Sequence, residues 1–101
     1  MGEGFYVDKV MQVSFTASLD TNRAQYTIGR VAAHTPWRPA DHELGETERE
    51  IAVRALVREA EEYGADGVVE IAYGSEVCNS ETGKLHRLVA TGRAVRLALA
   101  A

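Results

Sequence analysis

The segment from Thr47 to Tyr73 constrains the fold of this chain more than any other part of the sequence. It predicts, in order, a helix, a glycine stop, a short turn and a buried strand. Thr47 followed by Glu50 fits a capping box, in which both side chains satisfy backbone N–H groups at a helix start. Gly64 supplies the left-handed residue that ends many helices. A helix that starts at Thr47 and leads directly into a sheet strand is therefore expected.

One face of this predicted helix is apolar and rich in alanine. At about 100° per residue, one broad stripe holds most of its apolar side chains, namely Ala52, Val53, Ala55, Leu56, Val57, Ala60 and Tyr63. Ile51 projects from the charged side. It is either a solitary exposed aliphatic side chain, which is common, or a contact to another subunit. Glu59 intrudes on the stripe, either as a carboxylate of raised pKa or as a side chain that reaches past its edge to water.

The residues after the helix predict a tight reversal of the chain. Gly64 is expected to take positive φ, and Asp66-Gly67 is expected to turn the chain before Val68 enters the sheet. We therefore interpret Gly64, Asp66 and Gly67 as structural turn residues.

The rest of the chain predicts strands separated by polar turns. Strands are expected over residues 5–15, 26–33, 68–77 and 85–99, with a loop over 34–46 and a hairpin turn around Gly83. The predicted fold class is α+β: a mostly antiparallel sheet with one principal helix on a face, in the order β-β-α-β-β. Residues 1–101 are expected to form a single domain, with residues 1–12 as an added strand or tail.

The last predicted strand changes phase. Leu88 and Ala90 occupy even positions, whereas Val95, Leu97 and Leu99 occupy odd ones. A regular strand cannot place both sets on one face. We favour an extra residue near Gly92, because glycine is common at bulges. The alternative is that the two sets are buried on opposite faces.

Composition excludes several classes of protein. The chain of 101 residues has a formal net charge of −4, and its eleven basic residues are scattered, which argues against nucleic-acid binding. A single cysteine allows no disulfide within the chain. There is no apolar run near the ~20 residues of a membrane span, and the start of the chain lacks signal-peptide features. A cytoplasmic protein without membrane association is expected.

Four segments carry a family resemblance. Phe15–Asp20, Tyr26–Val31, Gly64–Val69 and Gly92–Val95 lie within VSFTASLDTNRAQYTIGRV, EYGADGVVEIAY and LVATGRAVRL, and they flank the helix in a characteristic order. This order resembles that of the YbjQ-like family of small bacterial proteins over most of residues 13–98. The loop before the helix is short for the family, and the first dozen residues look like an addition.

The resemblance implies an α+β subunit that assembles into rings, often pentamers, together with a heavy-metal-binding label. No ligand motif accompanies that label, so a metal site depends on this chain's own side chains. The weak candidates are His34, His42 and Cys78, with Asp41, Glu43 and His86 nearby in sequence. Their spacing is not that of a known zinc site. We predict no tight metal site within one subunit and no cofactor.

Catalytic motifs are also missing from the sequence. It contains no nucleophile elbow and no glycine-rich phosphate loop. The first functional hypothesis is a homo-oligomeric scaffold or small-ligand-binding protein. The second is a small enzyme whose site forms at the subunit interface, and the third is a weak metal-binding protein. The lack of a paired nucleophile and base favours the first.

Overall fold

The computed structural model describes residues 11–19 and 21–99. Its strands and helix are β1 (Gln12–Val13), β2 (Gln25–His34), β3 (Arg38–Pro39), α1 (Glu46–Glu62), β4 (Gly67–Ser80) and β5 (Gly83–Leu97). The α+β class is confirmed, and the short β3 is an addition to the predicted order. Only the end of the predicted first strand falls within the described residues, and residues 1–10 lie outside them.

The five strands form one sheet in the order β1-β4-β5-β2. β1 runs parallel to β4, and the other pairs are antiparallel. β3 pairs with residues 85 and 86 of β5, whose other edge is occupied by β4. Because β2 lies on the same edge of β5 as β3, β3 is a continuation of β2 after an interruption. This continuation lies within residues 34–46, for which the sequence predicted a loop.

The helix starts earlier than predicted. Gly45 is the N-cap and makes no side-chain capping bond, and the first helical residue is Glu46. The backbone N–H of Arg49 already donates to the carbonyl of Gly45 at 3.0 Å. Thr47 is therefore inside the first turn and exposed, so the predicted capping box is wrong.

At its other end the helix closes with a complete Schellman motif. Ala65 N–H donates to the Ala60 carbonyl at 3.1 Å, and Gly64 N–H donates to the Glu61 carbonyl at 3.0 Å. Gly64 has a φ of 76°, in the left-handed region that the sequence analysis assigned to it. The chain then turns back towards the sheet.

Asp66 and Gly67 have different roles after this turn. The Asp66 carboxylate accepts a hydrogen bond from Leu97 N–H at 2.7 Å, so it fastens the turn to β5. Gly67 is already the first residue of β4 and pairs with Gln12 of β1. A Cβ on Gly67 would lie 2.8 Å from the Gln12 carbonyl oxygen, so the close approach of β1 requires glycine there.

Apolar side chains are buried on both faces of the sheet. The face that packs against α1, called here the helix side, carries the larger cluster, which comprises Val31, Ala52, Leu56, Ala60, Ala65, Val68, Ile71, Leu88, Ala90 and Ala94. The opposite face, called the far side, carries a smaller cluster of Leu19, Val69 and Val95, with Leu97 against it. Leu19 belongs to the segment that precedes β2, and that segment covers the far side locally.

The two faces explain the change of phase in β5. Leu88 and Ala90 are buried on the helix side, and Val95 is buried on the far side. The alternative interpretation is therefore correct for β5 itself. The irregularity lies in the neighbouring strand, where Glu70 and Ile71 of β4 together face Gly92 of β5, between the pairs Val69–Arg93 and Ala72–Thr91. The extra residue is thus opposite Gly92 and not within the strand that contains it.

Replacing Gly64 tests the helix stop. We expect Gly64→Val to lower the free energy of unfolding by about 1–2 kcal/mol, because a β-carbon is strained at positive φ. Gly74→Val is the matched control, since Gly74 has ordinary φ and open space around its Cα. Thr47→Ala should change stability by less than about 0.5 kcal/mol, because the hydroxyl makes no cap. Urea denaturation at fixed protein concentration measures all three, and an unchanged midpoint for Gly64→Val would contradict the assignment.

Candidate functional site

The segment between β2 and the helix is anchored by Thr35. This residue is fully buried. Its N–H donates to the Leu88 carbonyl at 2.9 Å, and its hydroxyl oxygen accepts from Leu88 N–H at 3.1 Å. The Thr35 hydroxyl therefore accepts the hydrogen bond from Leu88 that a backbone carbonyl would accept in a regular ladder. Pro36 follows directly and has no N–H with which to continue the ladder. The strand resumes two residues later, at Arg38.

Arg38 and Glu48 form a two-pronged ion pair between β3 and the start of α1. Arg38 Nε donates to Glu48 Oε1 at 2.7 Å, and Nη2 donates to Oε2 at 3.2 Å. The Glu48 side chain is only 3% exposed. A buried carboxylate without such a partner would be strongly unfavourable. The pair therefore fastens the segment before the helix to the helix itself.

Sequence reasoning missed this pair, although a signal was present. Glu48 precedes Ala52, Leu56 and Ala60 at intervals of four residues, and these four are the buried residues of the helix. A carboxylate in line with an apolar stripe needs a cation from another element. Arg38 lies ten residues earlier, in a segment whose pairing with β5 has no local sequence signal.

The charge state of Glu48 follows from its contacts. The hydrogen bond from Arg38 holds the pKa of Glu48 below its usual value near 4.5, against the opposing effect of burial. His42 contributes less, with Nε2 at 3.7 Å from Glu48 Oε2. His86 holds this loop in turn, since its Nε2–H donates to the His42 carbonyl at 2.7 Å. Glu48 is thus ionised and already paired, which suits a structural anchor and not a general base.

A depression of about 380 Å³ lies beside this pair. Its lining consists of His42, Glu43, Gly45, Glu46, Thr47 and Glu48. The free N–H groups of the helix start favour an anion, whereas three carboxylates in the lining repel one. These opposing fields make the depression a poor ligand site.

A second cluster surrounds Arg87 on the far side. Its guanidinium contacts Glu76 Oε1 at 2.7 Å and lies 4.2 Å from the centroid of the Trp37 ring. Its Nη1 is 3.2 Å from a ring nitrogen of His34. Trp37 thus packs the interrupted strand onto the β4–β5 hairpin, and the imidazole of His34 has a cation as its neighbour.

The metal candidates do not converge. Cys78 pairs with Leu85 across the hairpin, and His86 pairs with Val77 one residue along, so Cys78 and His86 point to opposite faces. His34 is beside Arg87, and His42 is beside the Arg38–Glu48 pair. Within residues 11–19 and 21–99, no group of three or more His, Cys, Asp or Glu side chains could hold a metal ion. The described part of the chain therefore does not bring the candidate ligands His34, His42 and Cys78 together.

Two edges of the sheet are open in the described part of the chain. β2 is the last strand on its side, so residues 25–34 have an unpaired outer edge. On the other side, hydrogen bonds to the segment before β2 reach β4 only as far as Ile71 N–H, which donates to the Ser14 carbonyl at 3.2 Å. From Ala72 to Ser80 the outer edge of β4 has no strand partner among the described residues.

Exposed apolar side chains accompany both edges. Near the open edge of β4, the rings of Phe15 and Tyr73 contact each other at a tilt of 46°, with centroids 5.9 Å apart, and Val77 is 64% exposed. Near the edge of β2, Tyr26 is 58% and Ile28 is 40% exposed. Exposed apolar groups beside unpaired strands are typical of protein–protein contacts. No described helix is long and apolar enough to cross a membrane.

Ile51 is half-buried on the helix flank that faces β2. The guanidinium of Arg49, two residues earlier, lies 6.0 Å from the Tyr73 ring of β4. Two residues correspond to about 200° around a helix, so Ile51 lies on the opposite flank, beside the open edge of β2. Glu59, the other exception in the apolar stripe, is also half-buried.

The Arg38–Glu48 pair predicts a pH dependence of stability. The pKa of Glu48 is lowered by folding, so its stabilising contribution is complete above about pH 4.5 and is lost as pH falls through the lower, folded value. We expect Glu48→Gln to lower the urea midpoint at neutral pH. The difference from the parent should shrink in acid. Glu50→Gln, at an exposed position of the same helix, is the control, and a Glu48→Gln deficit that is independent of pH would contradict the prediction.

Metal analysis tests the candidate ligands. We expect purified protein, after dialysis, to retain less than one equivalent of zinc or copper per chain, because the candidate side chains lie apart. Elemental analysis of the parent and of His42→Ala is the measurement. One equivalent that survives dialysis and disappears in His42→Ala would show that a site exists.

Comparisons with known proteins agree with this architecture. The model of the YbjQ family, described as "Putative heavy-metal-binding", matches residues 40–98. No curated protein matches the chain. A crystal structure of a protein of unknown function from Pediococcus pentosaceus, assigned to the DUF74 family, has a TM-score of 0.67 and 15% identity, over 87% of this chain and 98% of that one. Such low identity shows the fold alone. The family model, however, spans more than half of the sequence, from the segment that follows β3 through α1 and β4 to the end of β5, and the chain therefore belongs to the YbjQ family.

Proposed function

We propose that this chain is the subunit of a ring-forming homo-oligomer, expected to be a pentamer, which acts as a scaffold or small-ligand-binding protein. The observation that carries the proposal is that two sheet edges, on β2 and on residues 72–80 of β4, have no strand partner among the described residues. Unpaired strands of this length present rows of free N–H and C=O groups. Soluble proteins normally cover or blunt such edges.

The position of the edges favours a head-to-tail contact. They lie on opposite sides of one sheet, with β5 between them. When the β2 edge of one subunit pairs with the β4 edge of the next, the first subunit keeps a free β4 edge and the second keeps a free β2 edge. Further subunits can therefore add at both ends. Such contacts close into a ring when the rotation between subunits allows it. A two-fold contact between like edges, for example β2 with β2, would instead form a dimer in which both β4 edges remain unpaired.

The apolar side chains supply a driving force for this contact. Tyr73 and Val77 project from the helix side of β4, and Tyr26 and Ile28 accompany β2. Ile51 lies on the flank of α1 beside β2, where the next subunit would cover it. Burying a large, fully exposed apolar side chain contributes roughly 1.5–3 kcal/mol, so several such contacts together would offset part of the free-energy cost of association.

Nothing in the described subunit favours catalysis. Glu48, its most buried carboxylate, is ionised and paired with Arg38. Metal binding within one subunit lacks a ligand set in the same residues. The scaffold or ligand-binding function is therefore preferred over the enzymatic one.

Light scattering and native mass spectrometry test the assembly. We expect the parent to be a ring, with five copies as the expected number. Val77→Glu and Ile28→Glu should each dissociate it, because a charge on an edge opposes strand pairing. Leu99→Glu, at a residue 90% exposed beyond the last strand, is the control. A parent that is monomeric at micromolar concentration would overturn the proposal.

Mixing the two edge variants distinguishes the geometry. Val77→Glu retains an intact β2 edge, and Ile28→Glu retains an intact β4 edge. If the contact is head-to-tail, an equimolar mixture should form a heterodimer that neither variant forms alone. Homodimers of each variant, with no heterodimer in the mixture, would show that like edges pair.

A further inference from the structure

Three locally unfavourable features meet on the far side of the sheet, where β4 passes Gly92. They are the backbone of Glu70, one buried nitrogen of Arg93, and the position of Arg30 directly across from Arg93. Departures from preferred backbone conformation, hydrogen-bond satisfaction and charge pairing cluster at functional sites. Strand pairing brings these three features close together in space, so this surface is a candidate site.

The backbone of Glu70 is the first feature. It has a φ of 56°, the only positive φ of a non-glycine residue among those described. The left-handed region is disfavoured for side chains with a Cβ. This conformation belongs to the irregularity opposite Gly92, and it leaves the Glu70 carboxylate 3.3 Å from Arg93 Nη2.

The guanidinium of Arg93 is incompletely satisfied. Besides Glu70, it donates from Nη2 to the Ala17 carbonyl at a long 3.4 Å. Its Nε is buried and has no hydrogen-bond partner in the described structure. Such a group calls for an explanation, often a water or an ion. The Nη1 group makes no hydrogen bond with a described residue, although the side chain remains 30% exposed.

Arg30 brings a second positive charge to the same surface. It pairs directly with Arg93 in the β2–β5 ladder, so both side chains project from the far side. Like charges directly opposite one another are destabilising. Arg30 is exposed and has no ion pair with a described residue. Two guanidinium groups and one carboxylate leave a net positive site on a chain whose formal charge is −4.

We propose that Arg30 and Arg93 bind an oxyanion of a small molecule, a phosphate or a carboxylate. Guanidinium groups bind both through paired, charge-assisted hydrogen bonds. Directly opposite side chains have Cβ atoms about 5 Å apart, so both can reach one anion. The next pairs in the ladder, Ala32–Thr91 and Ala72–Thr91, are small and leave room for the body of the ligand along the far side.

The site lies within one subunit and does not depend on the ring. A carboxylate from a neighbouring subunit is a different occupant of the same charges. Binding of a free anion and loss of assembly are separate measurements, so they distinguish the two occupants. They also separate a failure of this proposal from a failure of the assembly proposal.

Calorimetric titration with inorganic phosphate, and with acetate as the carboxylate probe, tests the site at matched ionic strength. We expect the parent to bind at least one of them, and Arg30→Gln to weaken that binding by about tenfold or more, through loss of one charge-assisted contact. Arg30→Lys should retain part of the affinity. Arg96→Gln is the matched control, because Arg96 is exposed on β5, the strand that carries Arg93, but projects from the helix side.

Variant folding is checked in the same experiment. Arg30 is exposed and lies opposite another positive charge, so Arg30→Gln should unfold at a urea midpoint equal to or above that of the parent when no anion is added. Absence of binding to both probes by the parent, or equal binding by Arg30→Gln and the parent, would overturn the proposal. If Arg30→Gln dissociates the ring and the parent binds no anion, the two arginines contact a neighbouring subunit. That result would also overturn the small-molecule proposal.

Discussion

Strand β5 has partners on both edges and buried side chains on both faces, and the other elements are arranged around it. β4 pairs along one edge, and β2 followed by β3 pairs along the other. Its even positions from Leu88 to Ala94 support the helix, and Val95 packs on the opposite face beneath Leu19. A strand enclosed in this way cannot shift by one residue without exposing both cores. The irregularities of the two ladders accordingly lie in the neighbouring strands, in β4 opposite Gly92 and in β2 after Thr27.

Sequence reasoning succeeded where the structural cause is local. Gly64 ends the helix because only backbone conformation is involved, and the hairpin turn before Gly83 is equally local. It failed where partners come from distant segments. The start of α1 depends on Arg38 reaching Glu48, and β3 depends on pairing with residues 85 and 86. Thr47 and Glu50 have the residue types and spacing of a capping box. The prediction was still wrong, because the helix begins at Glu46 with Gly45 as its N-cap.

The candidate site was less predictable than the fold. The histidines and the cysteine were considered as metal ligands because of their residue types alone. In the structure the three histidines contact Arg87, Glu48 or a backbone carbonyl instead, and Cys78 projects from the face opposite to His86. The open edges could not be recognised from the sequence, since an unpaired strand and a paired one have the same alternation. Arg30 and Arg93 become neighbours only through the register of β2 on β5, which is displaced by an irregularity after Thr27.

The connectivity of the sheet predicts an order in which its strands pair during folding. β4 and β5 are joined by a two-residue turn, between Ser80 and Gly83, so their ladder forms with little loss of loop entropy. β2 joins the same strand from the other end of the described chain, pairing Gln25 with Leu97, and this long closure is slow by comparison. The open edge of β4 can thus exist before the edge of β2 is in place. The chain presents both open edges only after β2 has paired with β5, so the head-to-tail contact proposed above would select completely folded chains.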